Sequence, residues 1–135
     1  MKKYEFLEHS SEIKFRIFGK TISKIFENTS LAISEILSGA EKVEDKAKKK
    51  IELEGKDNES LLYDFIDELI YLLDAEHFLV SKAKVEVKEG KLNAIIYGDD
   101  ALRYPKLDYI KAATYSEMYI REKNGNWEAQ VVVDV

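Results

Sequence analysis

No cysteine occurs in the chain, so it has no disulfide framework, no thiolate metal site and no cysteine nucleophile. Proline occurs once, at Pro105, and the six glycines stand apart as turn residues, which excludes a glycine-rich phosphate loop of either common kind. Histidine is present only as His9 and His77, too few for a histidine-rich zinc pattern, and no serine lies in a Gly-x-Ser-x-Gly elbow. Glutamine is represented by Gln130 alone while lysine and glutamate abound, a bias of proteins from hot environments. No apolar run approaches the roughly 20 residues that a membrane helix needs. Nothing reads as a signal peptide, and the expectation is a cytoplasmic protein. On residue content a self-sufficient enzyme is not expected.

What the chain does contain is a globular balance, 45% hydrophobic and 35% charged residues over 135 positions. That length suits one domain spanning 1–135. The net charge of −5 argues against a domain that tracks nucleic-acid phosphates, and no stable direct nucleic-acid binding is expected.

Periodicity lays out the elements. Ile13, Phe15 and Ile17 alternate with Lys14 and Arg16, the period of a half-buried strand. Ile22, Ile25, Phe26, Thr29, Ala32, Ile33 and Ile36 form one helical stripe, with Thr21 as its cap and Gly39 as its left-handed end. Residues 40–50 read as a Lys/Glu-rich connector with a solvated edge, followed by a short strand over Ile51–Glu54. Asn58 is placed to cap a second helix, whose wide apolar face runs from Leu61 to Leu73. From Phe78 onward the chain alternates as strands, with turns at Glu89-Gly90 and Asn124-Gly125 and a loop from Gly98 to Pro105. The strand after that loop is read as unbroken, with Ala112, Thr114, Ser116, Met118 and Ile120 on one face. The implied fold is a two-layer α+β domain, a mixed β-sheet with two main helices packed on one face.

Chemistry concentrates at the two ends of the chain. The knot His9-Ser10-Ser11-Glu12 is too polar for a core and runs directly into a strand. Val131-Val132-Val133-Asp134-Val135 is an apolar strand ending in an acid and a terminal carboxylate. Brought together, Glu12 and Asp134, with the Val135 carboxylate and Glu8 as further candidates, make an oxygen-only site. Such a donor set suits a hard cation such as calcium or magnesium, not zinc or copper. Asp64, Asp67 and Glu68 are read as a solvated helix face. Asp74 lies near a helix C-terminus, where a negative charge is disfavoured, and so stands out from its neighbours.

Tyr4…Phe6-Leu7-Glu8-His9-Ser10-Ser11-Glu12-Ile13 resembles the opening motif of the archease family. Phe18-Gly19-Lys20-Thr21 with Ile25-Phe26-Glu27-Asn28 resembles that family's first helix, and Asp64…Glu68-Leu69-Ile70-Tyr71-Leu72…Asp74-Ala75-Glu76…Phe78 its second. Tyr97-Gly98-Asp99, Ile110-Lys111-Ala112-Ala113-Thr114-Tyr115 and Trp127…Asp134-Val135 resemble its strand motifs and ending. The likeness covers essentially the whole chain. It implies a non-enzymatic activator of the RtcB-type RNA ligase in tRNA splicing and RNA repair, speeding guanylylation and multiple turnover. It also implies a metal site, most often calcium with magnesium or manganese as alternatives, held by Glu12, Asp134 and Val135. Lys111, with His9 and Asp74, is then expected to serve partner activation, and the protein to be a monomer or weak oligomer. The chain departs from the family pattern in carrying Glu12 for an aspartate and Ser116 for a histidine, and in lacking the usual Lys-His segment between Asp99 and Pro105. Two other readings stay open: a general chaperone or modulator of an RNA-modifying enzyme, and a small metal-dependent phosphohydrolase using Glu12 and Asp134.

Overall fold

The computed structural model describes residues 2–7 and 11–135. In chain order these form β1 (Tyr4–Phe6), β2 (Glu12–Gly19), α1 (Ile22–Ser38), β3 (Ala47–Glu54), α2 (Asn58–Glu76), β4 (Phe78–Lys88), β5 (Lys91–Asp100), a 3-10 turn (Ala101–Arg103), β6 (Ala112–Lys123) and β7 (Asn126–Asp134). The α+β class is as the pattern implies. In place of one mixed sheet, however, there are two sheets, ordered β1-β2-β7-β6 and β3-β5-β4, with antiparallel pairing throughout.

Two physical causes produce that arrangement. Tight turns at Glu89-Gly90 and Asn124-Gly125, each with both residues at positive φ, force β4/β5 and β6/β7 into antiparallel hairpins. The outer edge of β4, meanwhile, is covered by a helix instead of a further strand. Val85 N–H donates to Glu27 Oε2 at 2.9 Å and Val87 N–H to Ser23 Oγ at 3.1 Å, so α1 side chains satisfy donors that another strand would otherwise take.

Both helices form where their stripes predict. Thr21 caps α1 by accepting from Lys24 N–H at 3.1 Å, and Gly39 ends it at φ 67°. The cap of α2 is Asp57, one residue before the expected Asn58. Its carboxylate accepts from Ser60 N–H at 2.8 Å, closing a capping box that Asn58 cannot make from inside the helix. The stripes meet in one core, where Phe26 and Phe65 are fully buried edge to face at 5.6 Å. Burial of each such ring contributes about 1.5–3 kcal/mol.

Two boundaries differ from the pattern. The last four residues of the lysine-rich connector are strand, because β3 begins at Ala47 and places Lys48, Lys49 and Lys50 on a sheet edge, where lysines discourage the addition of a foreign strand. Likewise Gly98–Asp100 belongs to β5, and the irregular stretch lies later, around residues 104–111.

The strand over 112–123 is also not continuous. Thr114 pairs with Val132 but Tyr119 with Gln130, so Tyr115–Met118 bulge out opposite Val131, with Glu117 at φ 55°. The bulge reverses which face successive residues take. Ala113 is core before it and Ile120 packs on the core after it, so the alternation expected across 112–120 breaks in the middle.

Candidate functional site

The β2–β7 register sets Glu12 directly opposite Asp134. Side chains of such a pair stand about 4.5–5.5 Å apart at Cβ. On the other flank of β7, Ala112 faces Asp134, and Lys111 N–H donates to the Asp134 carbonyl at 2.8 Å. Val135 N–H donates to the Ser11 carbonyl at 3.3 Å, tying the last residue to the strand that carries Glu12. Glu12, Lys111, Asp134 and Val135 therefore gather at one end of the four-stranded sheet. Glu12 and Lys111 are exposed, while Asp134 and Val135 are half-buried.

Two carboxylates are paired here, and among the described residues neither has an ion-pair partner. The nearest same-face lysine, Lys14, is engaged elsewhere, its Nζ on Glu117 Oε1 at 2.9 Å. Like charges directly opposite on a strand pair are destabilising. The donor set is oxygen only, as a hard cation requires, and it fits one that keeps several waters. Among the described residues no group of three or more His, Cys, Asp or Glu side chains gathers around a common point, so Glu12 and Asp134 are the two carboxylates available here and further donors would have to be main chain or water.

His9 and Glu8 lie outside the described residues. Asp74 is exposed in the last turn of α2. The opposite half of that helix carries Tyr63, stacked on Tyr115 of the β6 bulge at 4.3 Å. Asp74 sits about 16 Å further along the axis, beside Glu76, which pairs with Lys49 of β3. Among the described residues no hydrogen bond or ion pair joins Asp74 to Glu12, Lys111 or Asp134. His77, the other imidazole, ends α2 in the left-handed conformation at φ 54°. Asp64 and Asp67 are exposed and Glu68 is half-buried, its carboxyl pushed up by burial and by repulsion from Asp67 and Glu76.

The bulge adds residues that periodicity could not have found. Ser116 N–H donates to Thr114 Oγ1 at 3.2 Å, and Gln130 Nε2 donates to the Glu117 carbonyl at 2.9 Å. Arg16 Nε reaches Gln130 Oε1 at 3.1 Å, so Lys14, Arg16, Glu117 and Gln130 link β2, β7 and β6 across the outer face. Tyr115 is exposed, and the pKa of its hydroxyl is pushed up by partial desolvation and then by the nearby Asp64 carboxylate. Further along the same face, the Tyr119 hydroxyl donates to Glu128, which also pairs with Arg121 at 3.0 Å. Those contacts, the tyrosine's first, hold the Glu128 carboxyl below its usual range against the cost of burial.

The family model described as the archease protein family matches residues 4–135. The chain is similar to the protein archease of Pyrococcus furiosus, 39% identical over 142 residues with all of both chains covered. It is 36% identical to that of Methanosarcina mazei, over 99% of this chain and 97% of the relative. Among solved structures, a Methanobacterium thermoautotrophicum protein determined in solution superposes with a TM-score of 0.85 at 31% identity, covering 100% of both chains. A Thermotoga maritima archease, described as a possible chaperone, shares the fold with a TM-score of 0.68 at 17% identity, over 96% of this chain and 94% of the other.

Proposed function

The chain belongs to the archease family, and from that membership we propose that it is a non-enzymatic activator of an RtcB-type RNA ligase. In this reading it promotes ligase guanylylation and repeated turnover in tRNA splicing and RNA repair. The observation that carries it is the pairing of Glu12 with Asp134 at a sheet end that also holds Lys111. This acidic tip docks at the ligase mouth, whose basic lining for RNA and GTP is complementary to it.

A hard cation bound at the tip would neutralise the opposed carboxylates and present a positive centre to the partner. Glu12, Asp134 and Val135 would hold it, calcium being the first candidate and magnesium or manganese the alternatives. The chain's own part is positional. The β2–β7 pairing fixes the two carboxylates on rigid strands, and the Lys111 N–H bond to the Asp134 carbonyl anchors the last residue of the irregular stretch. Lys111, its side chain exposed beside the acids, offers a charge-assisted hydrogen bond to an acceptor on the partner.

Glu12 reaches one methylene further than the aspartate of the family pattern, and its exposure leaves room for that reach. Ser116, in place of the usual histidine, lies in the bulge with its backbone already bonded to Thr114.

The test is multiple-turnover ligation of a 3′-phosphate RNA by the RtcB-type ligase of the same source, with GTP and divalent metal, with and without this protein. A rise in turnovers per ligase supports the reading. An active ligase unaffected by the protein overturns it. Suppression of aggregation of an unrelated RNA-modifying enzyme by wild type and Asp134→Ala alike would favour the chaperone reading instead.

A further inference from the structure

The acidic tip is one end of the β2–β7 pair, and the other end has the opposite charge. From Glu12↔Asp134 to Gly19↔Trp127 the register runs through eight pairs without interruption, a separation of about 23 Å. At that far end a groove of about 700 Å³ opens between the N-terminal segment, the start of α1 and β4. Lys2, Lys3, Lys20, Lys24, Lys82 and Lys84 line it, against a single acid, Glu27. Glu27 is already occupied, by Lys24 at 2.9 Å and by the Val85 N–H. Among the described residues Lys3, Lys20 and Lys84 have no ion-pair partner, so the groove holds uncompensated positive charge in a protein whose net charge is −5.

A second concavity of about 320 Å³ adjoins it, sharing Lys2 as a wall. Its lining brings two half-buried aromatic rings, Phe18 and Trp127, together with Lys123. The one acid there, Glu128, is held by Tyr119 and Arg121. Lysine ammonium groups flanking accessible aromatic faces are the chemistry by which proteins hold single-stranded nucleic acid without reading its sequence. The ammonium groups follow the phosphates and the rings stack on bases. An acidic peptide would use the lysines but has no need of the rings.

We propose that this basic end is a binding site for single-stranded RNA, sequence-independent and weak enough to be governed by salt. The net charge does not oppose this. The acids at this end (Glu5, Glu27, Asp45 and Glu128) are each already paired, with Lys2, Lys24, Lys82 and Arg121, which leaves Lys3, Lys20 and Lys84 free among the described residues. Charges more than about 8–10 Å away are screened at physiological ionic strength. The RNA class rests on the ligase reading only for its biological sense; the groove and its lining stand without it. Combined with that reading, the domain would meet the ligase with its acidic tip while its basic end tethers a strand of the substrate.

The experiment titrates fluorescein-labelled oligouridylate RNA with the full chain at several salt concentrations, no ligase present. Anisotropy reports binding, and intrinsic fluorescence reports the adjoining aromatic concavity, because Trp127, the single tryptophan, lines it. The expected result is saturable binding with a log–log salt slope of about −2, as for three phosphate contacts on a single strand, accompanied by quenching of Trp127. The double variant Lys20→Glu/Lys84→Glu alters two exposed side chains and should bind about tenfold or more weaker with a shallower slope. Asp134→Ala should bind as wild type does, which separates this site from the ligase reading. No binding at low salt, binding without change in Trp127 emission, or wild-type affinity in the double variant would each overturn the proposal. Displacement of the RNA by poly-glutamate at equal charge would overturn it too, in favour of an acidic protein segment as occupant.

Discussion

Glu12 and Asp134 stand directly across from each other on neighbouring strands, two carboxylates where a sheet ordinarily pairs opposite or neutral side chains. Like charges directly opposite on paired strands are destabilising. Glu12→Gln should therefore stabilise the free protein at low salt by about 0.2–1 kcal/mol, read from urea unfolding. Calcium should raise the melting temperature of wild type and leave that of Asp134→Ala unchanged. A Glu12→Gln protein no more stable than wild type would mean that the two carboxylates do not feel each other.

Asp134→Ala should reduce ligation to the level of ligase alone while the far-ultraviolet spectrum stays native. Removal of this side chain leaves the strand bonds of β7 in place. Lys111→Ala should lower stimulation without altering calcium-induced stabilisation, since its tie to Asp134 is through the backbone. Full stimulation by Asp134→Ala would rule out the acidic tip as the docking element.

Buried Asp99 holds the chain after β5 in place. Tyr104 donates to its Oδ2 at 2.8 Å and in turn accepts from Glu44 N–H at 2.9 Å. Burial opposes ionisation of Asp99, yet the Tyr104 bond, the Asp100 N–H and Arg103 together lower its pKa. A carboxyl whose pKa is depressed on folding adds stability that is complete above its unfolded value, near 4. That stability is lost as pH falls through the lower folded value. Tyr104→Phe should cost about 1–3 kcal/mol at neutral pH and flatten the acid limb of the stability curve; an unchanged acid limb would refute the assignment.

Alkali should act through Tyr4. Its hydroxyl donates to Glu35 Oε1 at 2.9 Å, and burial followed by that carboxylate pushes its pKa up to about 12 from 10.0. Because the raised value belongs to the folded state, the contribution is whole below pH 10 and is lost as pH rises towards 12. Tyr4→Phe should remove that part of the alkaline loss. Urea midpoints measured across this range decide it.

Gly98 should tolerate no side chain. A Cβ there would lie 2.2 Å from the Leu79 carbonyl and 2.7 Å from the Phe78 ring, both buried and fixed where the start of β4 pairs with the end of β5. Gly98→Ala should lower the melting temperature markedly, whereas Gly125→Ala has open space around it and strains only its turn.

Local chemistry was written plainly in the sequence. Thr21 and Gly39 bound α1 as read, the stripes of both helices are the core, and Asn124-Gly125 turns the last hairpin. Such features depend on neighbours a few positions apart, through hydrogen bonds and φ preferences that any reader of the chain can apply. The α2 cap slipped by one residue because Asp57 and Asn58 are both good caps, and only the Ser60 contact chooses between them.

The division into two sheets, the bulge at Tyr115–Met118 and the charge at each end of β2–β7 were decided by tertiary structure alone. Glu27 and Ser23 look like ordinary helix polar residues until β4 lies beside them and they take its edge. Glu12 and Asp134 could be suspected of meeting, but only the strand register makes them partners and sends the lysines of distant segments to the opposite end. Periodicity records which face a residue takes within its own element. Which elements become neighbours, and in what register, depends on non-local contacts that no stretch of the chain contains by itself.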